Sequence, residues 1–375
     1  MGQRPSSIVQ LCLSPSWGGL EMCTLKHALW FKEAGFPVAG VTLAGSPLER
    51  AFKEHDIPVL ALTKRGYFSF KDSRLLRQFL KQHAVDVVFS HHLKDLWRLR
   101  LSLIGLSHVR VIGFARMFLR NVNKKDFMHR WVYGRMELLV SLTEVQKEAL
   151  LKCLPLRPDD VRVIPDGVNV EEFHPHHRNE SYRKEVFGVN AGEKAVGLVG
   201  RLDPQKGSFE FIQAAHQVLQ KNSDLKFGVK FLLIGKETPD TPGFEKKLKD
   251  YVSEQGLKEK ILFLGHRSDV AQVIANLDVF CMPSYEETFG DVLIEAMACE
   301  VPSIATRAGG PINIIDEGVN GLLVPPKDVD ALTEALRALL SEPERARTLA
   351  LSGRQKALNV YDEKKIFAQI KGLLV

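Results

Sequence analysis

Two glutamates, Glu287 and Glu295, have seven residues between them in the stretch SYEETFGDVLIEAMACE. The first falls in a predicted turn with Phe289 and Gly290, and the second falls on the predicted helix FGDVLIEAMA. A carboxylate can accept hydrogen bonds from two hydroxyl groups of a sugar or a ribose, and without a histidine or aspartate joining it this favours polyol recognition over metal binding. A solvent-facing position for Glu295 is the alternative, which its otherwise apolar helix disfavours. The pair therefore predicts a clamp for a polyhydroxylated ligand.

A second segment, GLVGRLDPQKG, places two cations beside a predicted helix start. Gly200, Arg201 and Lys206 follow the predicted strand AVGLVG, and Gly207 opens the next helix. Open parallel sheets bind ligands at the carboxyl ends of their strands. A helix N-terminus donates N–H groups, and arginine and lysine neutralise negative charge. We expect a diphosphate site here, since glycines on both sides of the cations disfavour an ordinary charged surface loop.

A glycine pair near the start of the chain is less specific. Gly18, Gly19 and Glu21 follow the first predicted strand in SWGGLE, without the full GxGxxG pattern of dinucleotide-binding enzymes. Two glycines permit close backbone approach to a ligand, but they also suit a simple tight turn. The segment argues against a nicotinamide cofactor.

The elements that position these residues alternate between short apolar runs and amphipathic stretches. This pattern predicts an α/β fold with parallel sheets covered by helices on both faces. It lapses around IPDGVNVEEFHPHHRNESYRKEVFGVNAGEK, interpreted as a linker, and then resumes. We predict two Rossmann-like doubly wound domains facing a central cleft, over residues 1–175 and 176–358, with a C-terminal helix at 359–375 crossing back to the first domain.

Length and composition agree with a globular enzyme of two domains. The chain has 375 residues, of which 45% are hydrophobic and 26% charged, and no run approaches the ~20 apolar residues that span a bilayer. Its five cysteines include no CxxC pair, which favours buried free thiols over disulfides or a metal site. We expect a cytoplasmic protein.

The net charge of +6 has a local origin. Between His91 and Arg135 ten lysines and arginines face two aspartates, with aromatics in FARMFLR and RWVYGRM. A solvated surface is one interpretation, and contact with an anionic glycolipid or membrane surface is the other. Nucleic acid is not an expected partner.

Taken in order, the segments GGLE, GRLDPQKG, EETFGDVLIEAMACEVPSIATRAGGPINII and EGVNGLLVPPKDVDAL resemble family 4 glycosyltransferases of the two-Rossmann (GT-B) architecture. The resemblance covers essentially the whole chain and is strongest from Val161 to Leu332. It includes VIPDGVNVEEFHP, in which the family often has asparagine at the position of Asp166.

The resemblance implies a role for each motif. Arg201 and Lys206 would hold the donor diphosphate with Gly200, and Glu295 would bind the ribose. Gly18 and Gly19 would approach the diphosphate from the first domain. The transferred sugar would contact Glu287 and the backbone of Thr288, Phe289 and Gly290, and the base would lie near His266, Arg267 and Ser268.

The first domain departs from the family pattern at one position. Many relatives place a histidine at the end of the strand VRVIGFA, where this chain has Arg116. His91 and His92 follow another strand, and a lone histidine is more often structural, yet two at such a loop are candidates for the same cleft. We include His92 among the catalytic candidates. The candidates for acceptor or membrane contact are His91, Arg116, Lys124, Lys125 and Arg130.

The motifs and the resemblance together predict a retaining glycosyltransferase that requires no metal or other cofactor. The motif Asp328-Val329-Asp330 could suggest a metal site, but Asp328 is better explained as a helix cap. The expected donor is a nucleoside-diphosphate sugar, with UDP as the first choice. The expected acceptor is a lipopolysaccharide core, glycolipid or surface polysaccharide, at or near the inner face of the plasma membrane. A small soluble acceptor, a sugar-nucleotide epimerase of the same fold and a non-catalytic binding protein are the alternatives.

Overall fold

The computed structural model describes residues 5–63, 69–119, 122–220, 227–238 and 240–375. The chain divides into two compact units, Met1–Pro165 with Phe367–Val375, and Asp166–Ile366. The corresponding limits predicted from the sequence were 175/176 and 358/359. Each unit contains a parallel β-sheet flanked by helices.

In the described part of the first unit, seven parallel strands run in the order β3-β2-β1-β4-β5-β6-β7. The strands are β1 (Ile8–Cys12), β2 (Val38–Leu43), β3 (Val59–Leu62), β4 (Val87–Ser90), β5 (Arg110–Ala115), β6 (Leu138–Ser141) and β7 (Val161–Val163). The helices are α1 (Gly19–Glu33), α2 (Pro47–Glu54), α3 (Phe70–Gln82), α4 (Leu96–Ser102), α5 (Phe127–Tyr133) and α6 (Glu144–Cys153). The strand order reverses between β1 and β4, and this is where a doubly wound sheet binds ligands.

The second unit repeats this plan, with six parallel strands among its described residues in the order β10-β9-β8-β11-β12-β13. The strands are β8 (Lys194–Val199), β9 (Val229–Ile234), β10 (Ile261–Gly265), β11 (Val279–Met282), β12 (Ser303–Thr306) and β13 (Leu322–Val324). The helices are α7 (Glu180–Phe187), α8 (Ser208–Gln220), α9 (Phe244–Glu254), α10 (Val270–Ala275), α11 (Asp291–Ala298), α12 (Pro311–Ile314), α13 (Val329–Ser341), α14 (Pro343–Lys356) and α15 (Glu363–Lys371), of which the residues after Ile366 belong to the first unit. Its order reverses between β8 and β11. The predicted α/β class with two doubly wound sheets is confirmed.

The central strands are buried on both faces, which explains their continuous apolar sequences. Every residue of β1, β4 and β11 is buried. In the first unit Val9 and Leu11 join one core cluster, and Cys12 joins another with Ala28 and Phe52. Successive side chains of a strand point to opposite faces, so helices must cover both sides of the sheet. All five cysteines are buried and free, as predicted.

The residues after Ile366 complete the first unit. The Phe367 ring packs against Trp30 and Phe31, with ring centroids 5.5 and 5.1 Å apart. The guanidinium of Arg110 donates hydrogen bonds to the carbonyl oxygens of Leu373 and Leu374, at 2.8 and 3.0 Å. Residues 367–375 therefore pack into the core and edge of the first unit.

The segment interpreted as a linker contains a helix of the second unit. Asn179 caps α7 by accepting hydrogen bonds from the backbone N–H groups of Ser181 and Tyr182, at 2.8 and 3.2 Å. The helix buries Phe187 completely. Polar and charged residues cover its exposed side, and this hid the apolar periodicity in the sequence.

Asp278, between α10 and β11, ties α7 to the second sheet. It accepts a hydrogen bond from the backbone of Ala195 at 2.8 Å, and it pairs with Arg183 at 2.9 Å and Arg178 at 2.7 Å. The side chains of Asp278 and Arg183 are only 9% and 3% exposed. Both charges are thus removed from water and depend on each other.

A buried histidine pair lies near the switch point of the first sheet. His91, after β4, donates a 2.7 Å hydrogen bond from Nε2 to Gln10 Oε1 and stacks on Phe114. Its ring meets that of His27 edge-on, with centroids 5.2 Å apart. Burial, followed by the charge of nearby Arg116, holds the pKa of His27 and the pKa of His91 well below the ordinary value. Both rings are therefore neutral at pH 7.

We expect Asp278→Ala to lower the free energy of unfolding by about 3–5 kcal/mol, because it leaves the buried Arg183 charge uncompensated. Urea denaturation monitored by circular dichroism measures this change. Glu180→Ala is the matched control, since Glu180 also pairs with Arg183 but is 73% exposed. The control should cost less than about 1 kcal/mol. Equal losses in the two variants would contradict the role given to Asp278.

We expect stability to fall below about pH 6.5, because the unfolded chain then binds protons at His27 and His91 that the folded chain excludes. The slope is at most about 1.4 kcal/mol per pH unit for each histidine. Urea titrations between pH 7.5 and 5.5 measure it. His91→Gln should reduce the slope, whereas His55→Gln, at an exposed position, should leave it unchanged. A slope that is the same in His91→Gln as in the parent would contradict this account.

Candidate active site

The two strands at the switch point of the second sheet, β8 and β11, carry the strongest predicted motifs. After β8, Asp203 accepts a hydrogen bond from the backbone of Gln205 at 2.8 Å and starts a 3-10 turn, Pro204–Lys206. Gly207 follows with φ +67° in the left-handed region. The turn places Lys206 beside the loop that leaves β11.

The loop after β11 leads into α11, as predicted. Phe289 is buried, and Gly290 caps the helix with φ 112°, a backbone conformation that side chains disfavour. The backbone N–H of Gly310, after β12, donates a 2.7 Å hydrogen bond to the carbonyl oxygen of Glu287. The predicted sugar-binding stretch from Glu287 to Gly290 is therefore held from both of its ends.

The structure brings Lys206 and Glu287 together. Lys206 Nζ lies 2.5 Å from Glu287 Oε2, and the two side chains are 26% and 18% exposed. The backbone N–H of Tyr285 donates to the carbonyl oxygen of Gln205 at 2.8 Å. The loops after β8 and β11 thus form one connected surface with a cation and a carboxylate in contact.

Arg201 and Glu295 occupy the same two segments. Arg201, directly after Gly200, is exposed, and Glu295 lies half-buried on α11. Burial and then the charge of Glu295 raise the pKa of the Cys299 thiol, which places the carboxylate near the end of that helix.

Three neighbouring strands of this sheet end in glycine, a feature that the sequence analysis missed at Gly235. Gly200 and Gly235 follow β8 and β9, and Gly265 ends β10. A Cβ on Gly235 would lie 1.8 Å from the carbonyl oxygen of Gly200. The repeated endings Val-Gly, Ile-Gly and Leu-Gly were the available signal. These three positions therefore carry no side chain, and a flat ligand could approach the backbone there.

Arg267, predicted to lie near the base, has its charge compensated within the protein. It forms two hydrogen bonds with Asp269, at 2.7 and 2.5 Å, and Tyr182 donates to the same carboxylate at 2.8 Å. The bonds from Arg267 lower the pKa of Asp269 to about 2. The neighbouring His266 is exposed. The arginine therefore shapes the loop, and His266 is the more accessible of the two.

In the first unit, the glycine pair starts the first helix. Gly18 is the extended N-cap of α1, and its carbonyl oxygen accepts a 3.0 Å hydrogen bond from the backbone of Met22. Glu21, in the first turn, is only 3% exposed. Gly18 and Gly19 thus lie directly at the carboxyl end of β1, on one side of the switch point.

His92 and Asp95 lie on the other side of that switch point, after β4. His92 Nδ1 is 3.5 Å from an Asp95 oxygen, and the His92 side chain is 20% exposed. Asp95 also accepts a buried 2.8 Å hydrogen bond from the backbone of Leu13, after β1. Asp95 therefore joins the two loops and lies beside the imidazole.

The remaining histidine and arginine candidates of this region are more enclosed. His91 is 1% exposed, so its ring is not available for contact with an acceptor in this structure. Arg116 follows β5 as predicted and lies 3.4 Å from His27 Nε2, with its guanidinium over the Phe114 ring. Of the two adjacent histidines, His92 is the one that reaches the surface.

The predicted basic face is smaller than the charge count suggested. Arg98 is buried against Asp72 at 3.1 Å, and Arg110 pairs with Glu137 at 2.7 Å. Arg100 donates to the carbonyl oxygen of Trp131, and Arg135 to carbonyl oxygens after α4. Each of these four arginines connects two segments that are distant in sequence, and these contacts stabilise the fold. Arg120 lies outside the described residues.

A smaller basic and apolar patch surrounds the start of α5. It contains Lys124 and Lys125 before the helix and Arg130 within it, together with two exposed apolar side chains. Phe127 is 81% exposed and Met128 is 49% exposed. Burial and then the charge of Lys94 lower the pKa of Lys124. We call these five residues the α5 patch.

Within the described residues, neither a metal-binding cluster nor a membrane-spanning helix is present. No group of three or more histidine, cysteine, aspartate or glutamate side chains is arranged to hold a metal ion there. None of the helices in that part of the chain has the length and apolar character needed to cross a membrane.

The cap predicted at Asp328 is present at the start of α13, since Asp328 accepts a hydrogen bond from the backbone of Ala331 at 2.9 Å.

Two family models match the chain in succession. Residues 17–172 match the model described as Glycosyltransferase Family 4, and residues 180–356 match Glycosyl transferases group 1. The matches include the glycine pair in the first unit and the loops after β8 and β11 in the second.

The chain is also similar to individual glycosyltransferases whose activities are named. The UDP-Gal:alpha-D-GlcNAc-diphosphoundecaprenol alpha-1,3-galactosyltransferase of Escherichia coli is 24% identical, over 98% of this chain and 96% of that protein. The D-inositol 3-phosphate glycosyltransferase of Saccharomonospora viridis is 30% identical, over 60% of this chain and 52% of that protein.

A solved structure shares the fold over nearly the whole length. The structure of HepE from Anabaena in complex with UDP and glucose has a TM-score of 0.83 and 23% identity, over 98% of this chain and 99% of that chain. With two doubly wound sheets, the paired loops at the second switch point and two successive family matches, the chain belongs to the family 4 type of glycosyltransferases with the two-Rossmann (GT-B) architecture.

Proposed function

We propose that the chain transfers a sugar, with retention of anomeric configuration, from a UDP-sugar to a phosphorylated, lipid-linked saccharide. The observation that carries the donor side of this proposal is the contact between Lys206 and Glu287 at the β8/β11 switch point. Ligands of open α/β sheets bind at this position. A cation and a carboxylate side by side match the junction between a diphosphate and a sugar.

The other residues of the second unit have matching roles. Arg201 binds the diphosphate with Lys206, and Glu295 binds the ribose hydroxyls. Glu287 binds the transferred sugar together with the backbone of residues 288–290. The glycine edge of β8, β9 and β10 admits the nucleotide, with the base near His266. Relatives support UDP, since one uses UDP-Gal and HepE was solved with UDP.

The reaction follows from where charge develops. The bond between the anomeric carbon and the diphosphate oxygen breaks, and its electron pair leaves with the diphosphate. The acceptor oxygen bonds to the same face of that carbon, and its proton passes to the departing phosphate. Lys206 and Arg201 stabilise the negative charge on the leaving group, so neither an enzyme nucleophile nor a divalent metal is required.

On the first unit, His92 is the candidate catalytic residue, because it lies partly exposed beside Asp95 at the switch point of that unit's sheet. The α5 patch is the candidate for the acceptor. The acceptors named for two relatives both carry phosphate, one as a lipid diphosphate and one as inositol phosphate. Lysines beside exposed apolar side chains favour the lipid-linked form, such as a lipopolysaccharide core, glycolipid or surface-polysaccharide precursor. A soluble phosphorylated acceptor is the second candidate, on the strength of the inositol phosphate relative.

We expect UDP and a UDP-sugar to raise the melting temperature selectively in a panel with GDP, ADP and CMP, since a ligand that binds the folded state stabilises it.

With the matching acceptor, Lys206→Ala should lower kcat by about 10²–10³-fold through loss of leaving-group stabilisation. Lys246→Ala, at a side chain 78% exposed on α9, is the matched control. Turnover should persist in excess EDTA.

The outcomes separate the parts of this proposal. No stabilisation by any nucleotide would contradict the donor site. Near-normal turnover of Lys206→Ala would remove this lysine from the mechanism, and loss of turnover in EDTA would contradict the metal-independent chemistry.

We expect the double variant Lys124→Glu/Lys125→Glu to bind anionic vesicles more weakly, by about 1 kcal/mol or more for each lysine. Phe127→Ala should also weaken binding, because it removes an exposed apolar side chain from the same patch. Vesicle sedimentation measures both effects. Phe70→Ala is the matched control, since Phe70 is 84% exposed on another helix of the first unit. If the double variant binds anionic vesicles as well as the parent protein does, the α5 patch is an ordinary solvated surface.

A further inference from the structure

The lysine proposed to hold the diphosphate is already paired with the carboxylate proposed to hold the sugar. Lys206 Nζ and Glu287 Oε2 are 2.5 Å apart, and neither side chain is more than about a quarter exposed, at 26% and 18%. A pair this enclosed is screened less by salt than one on an open surface. Any group that binds Lys206 must therefore also meet the charge of Glu287.

The backbone around the pair prevents the two loops from separating easily. A Cβ on Gly207 would lie 2.0 Å from the carbonyl oxygen of Pro283, so the loops touch where only a glycine fits. The Tyr285 N–H bonds to the Gln205 carbonyl oxygen at 2.8 Å, and the Glu287 carbonyl oxygen accepts from Gly310 at 2.7 Å. The cation and the carboxylate are consequently held near each other before any ligand arrives.

The donor and the product differ in the charge that they bring to this pair. In a nucleotide-sugar, the terminal phosphate is esterified, and the sugar offers hydroxyl groups that can donate hydrogen bonds to a carboxylate. When the glycosidic bond to the phosphate has broken, the free nucleoside diphosphate has one more ionisable oxygen and has lost the hydroxyls of the transferred sugar. Lys206 attracts the charge on that oxygen and Glu287 repels it, so the carboxylate cancels part of the attraction between the site and the product.

We propose that Glu287 is a specificity-determining residue that shifts the preference of the site away from the free nucleoside diphosphate and toward the nucleotide-sugar. It satisfies sugar hydroxyls in the donor and repels the extra charge of the product. This inference rests on the proposed function, and adds to it that the carboxylate favours departure of the diphosphate after transfer. Removal of its charge should therefore strengthen product binding, which loss of a merely structural contact would not do.

The test compares dissociation constants for UDP and UDP-glucose by isothermal titration calorimetry in the parent protein and in Glu287→Gln. We expect UDP to bind the variant about tenfold more tightly than it binds the parent. UDP-glucose should bind the variant equally or more weakly, so the preference for the sugar conjugate narrows. Glu286→Gln, one residue away and exposed, removes the same charge and should leave the preference unchanged.

A third ligand separates the effect of the charge from that of the sugar hydroxyls. The methyl ester of the terminal phosphate of UDP lacks the extra charge and carries no transferred sugar. The ratio of the affinity for UDP to the affinity for this ester should be about tenfold higher in Glu287→Gln than in the parent protein, because only UDP gains when the repulsion is removed. Glu287→Asp, which keeps the charge, should keep the ratio of the parent protein. If Glu287→Gln fails to fold, as judged by its melting curve, Glu287→Ala replaces it as the variant without the charge.

The results distinguish this inference from the proposed function. If UDP and UDP-glucose bind the parent protein, but neither the preference between them nor the ratio of UDP affinity to ester affinity changes in Glu287→Gln, the inference is wrong and the donor site stands. If UDP, GDP, ADP and their sugar conjugates all fail to bind the parent protein, both are wrong.

Discussion

Only glycine fits at position 207, because any side chain there would collide with the backbone of Pro283. This close approach joins the loops after β8 and β11, and the rest of the second unit's chemistry depends on it. With the loops in contact, the short 3-10 turn delivers Lys206 to Glu287, and the glycine at 290 can start α11 with Glu295 on it. A parallel sheet supplies the two strand ends, and the backbone contact between their loops makes one site of them.

In the first unit, a side chain connects the two loops at the switch point, where the second unit has a backbone contact. Asp95 bonds to the backbone after β1 and lies beside His92 after β4, so one buried carboxylate aligns both sides of the switch point. The neighbouring His91 contributes packing, stacked on Phe114 and bonded to Gln10. Two adjacent histidines thus serve different purposes because the strand end turns one ring inward and leaves the other at the surface.

The sequence predicted those features that depend on local patterns. Alternating apolar runs indicated both sheets, and Asp328 was recognised as a helix cap because capping is a contact over three residues. Features set by distant partners were not predictable in this way. The run of cations in the first domain looked like a surface, yet Arg98 has its partner at Asp72 and Arg110 reaches carbonyl oxygens at the far end of the chain. The glycine at 235 was missed because its constraint comes from Gly200 on the neighbouring strand.

The first unit is discontinuous, since residues 367–375 pack against Trp30 and Phe31 and accept hydrogen bonds from Arg110. During translation this unit emerges first, but the apolar surface of α1 stays uncovered until the ribosome has synthesised the whole second unit. The second unit is continuous, whereas the first cannot be completed until residues 367–375 have been synthesised. Completion of the first unit therefore has to wait for the second to be made, although most of its own residues are synthesised earlier.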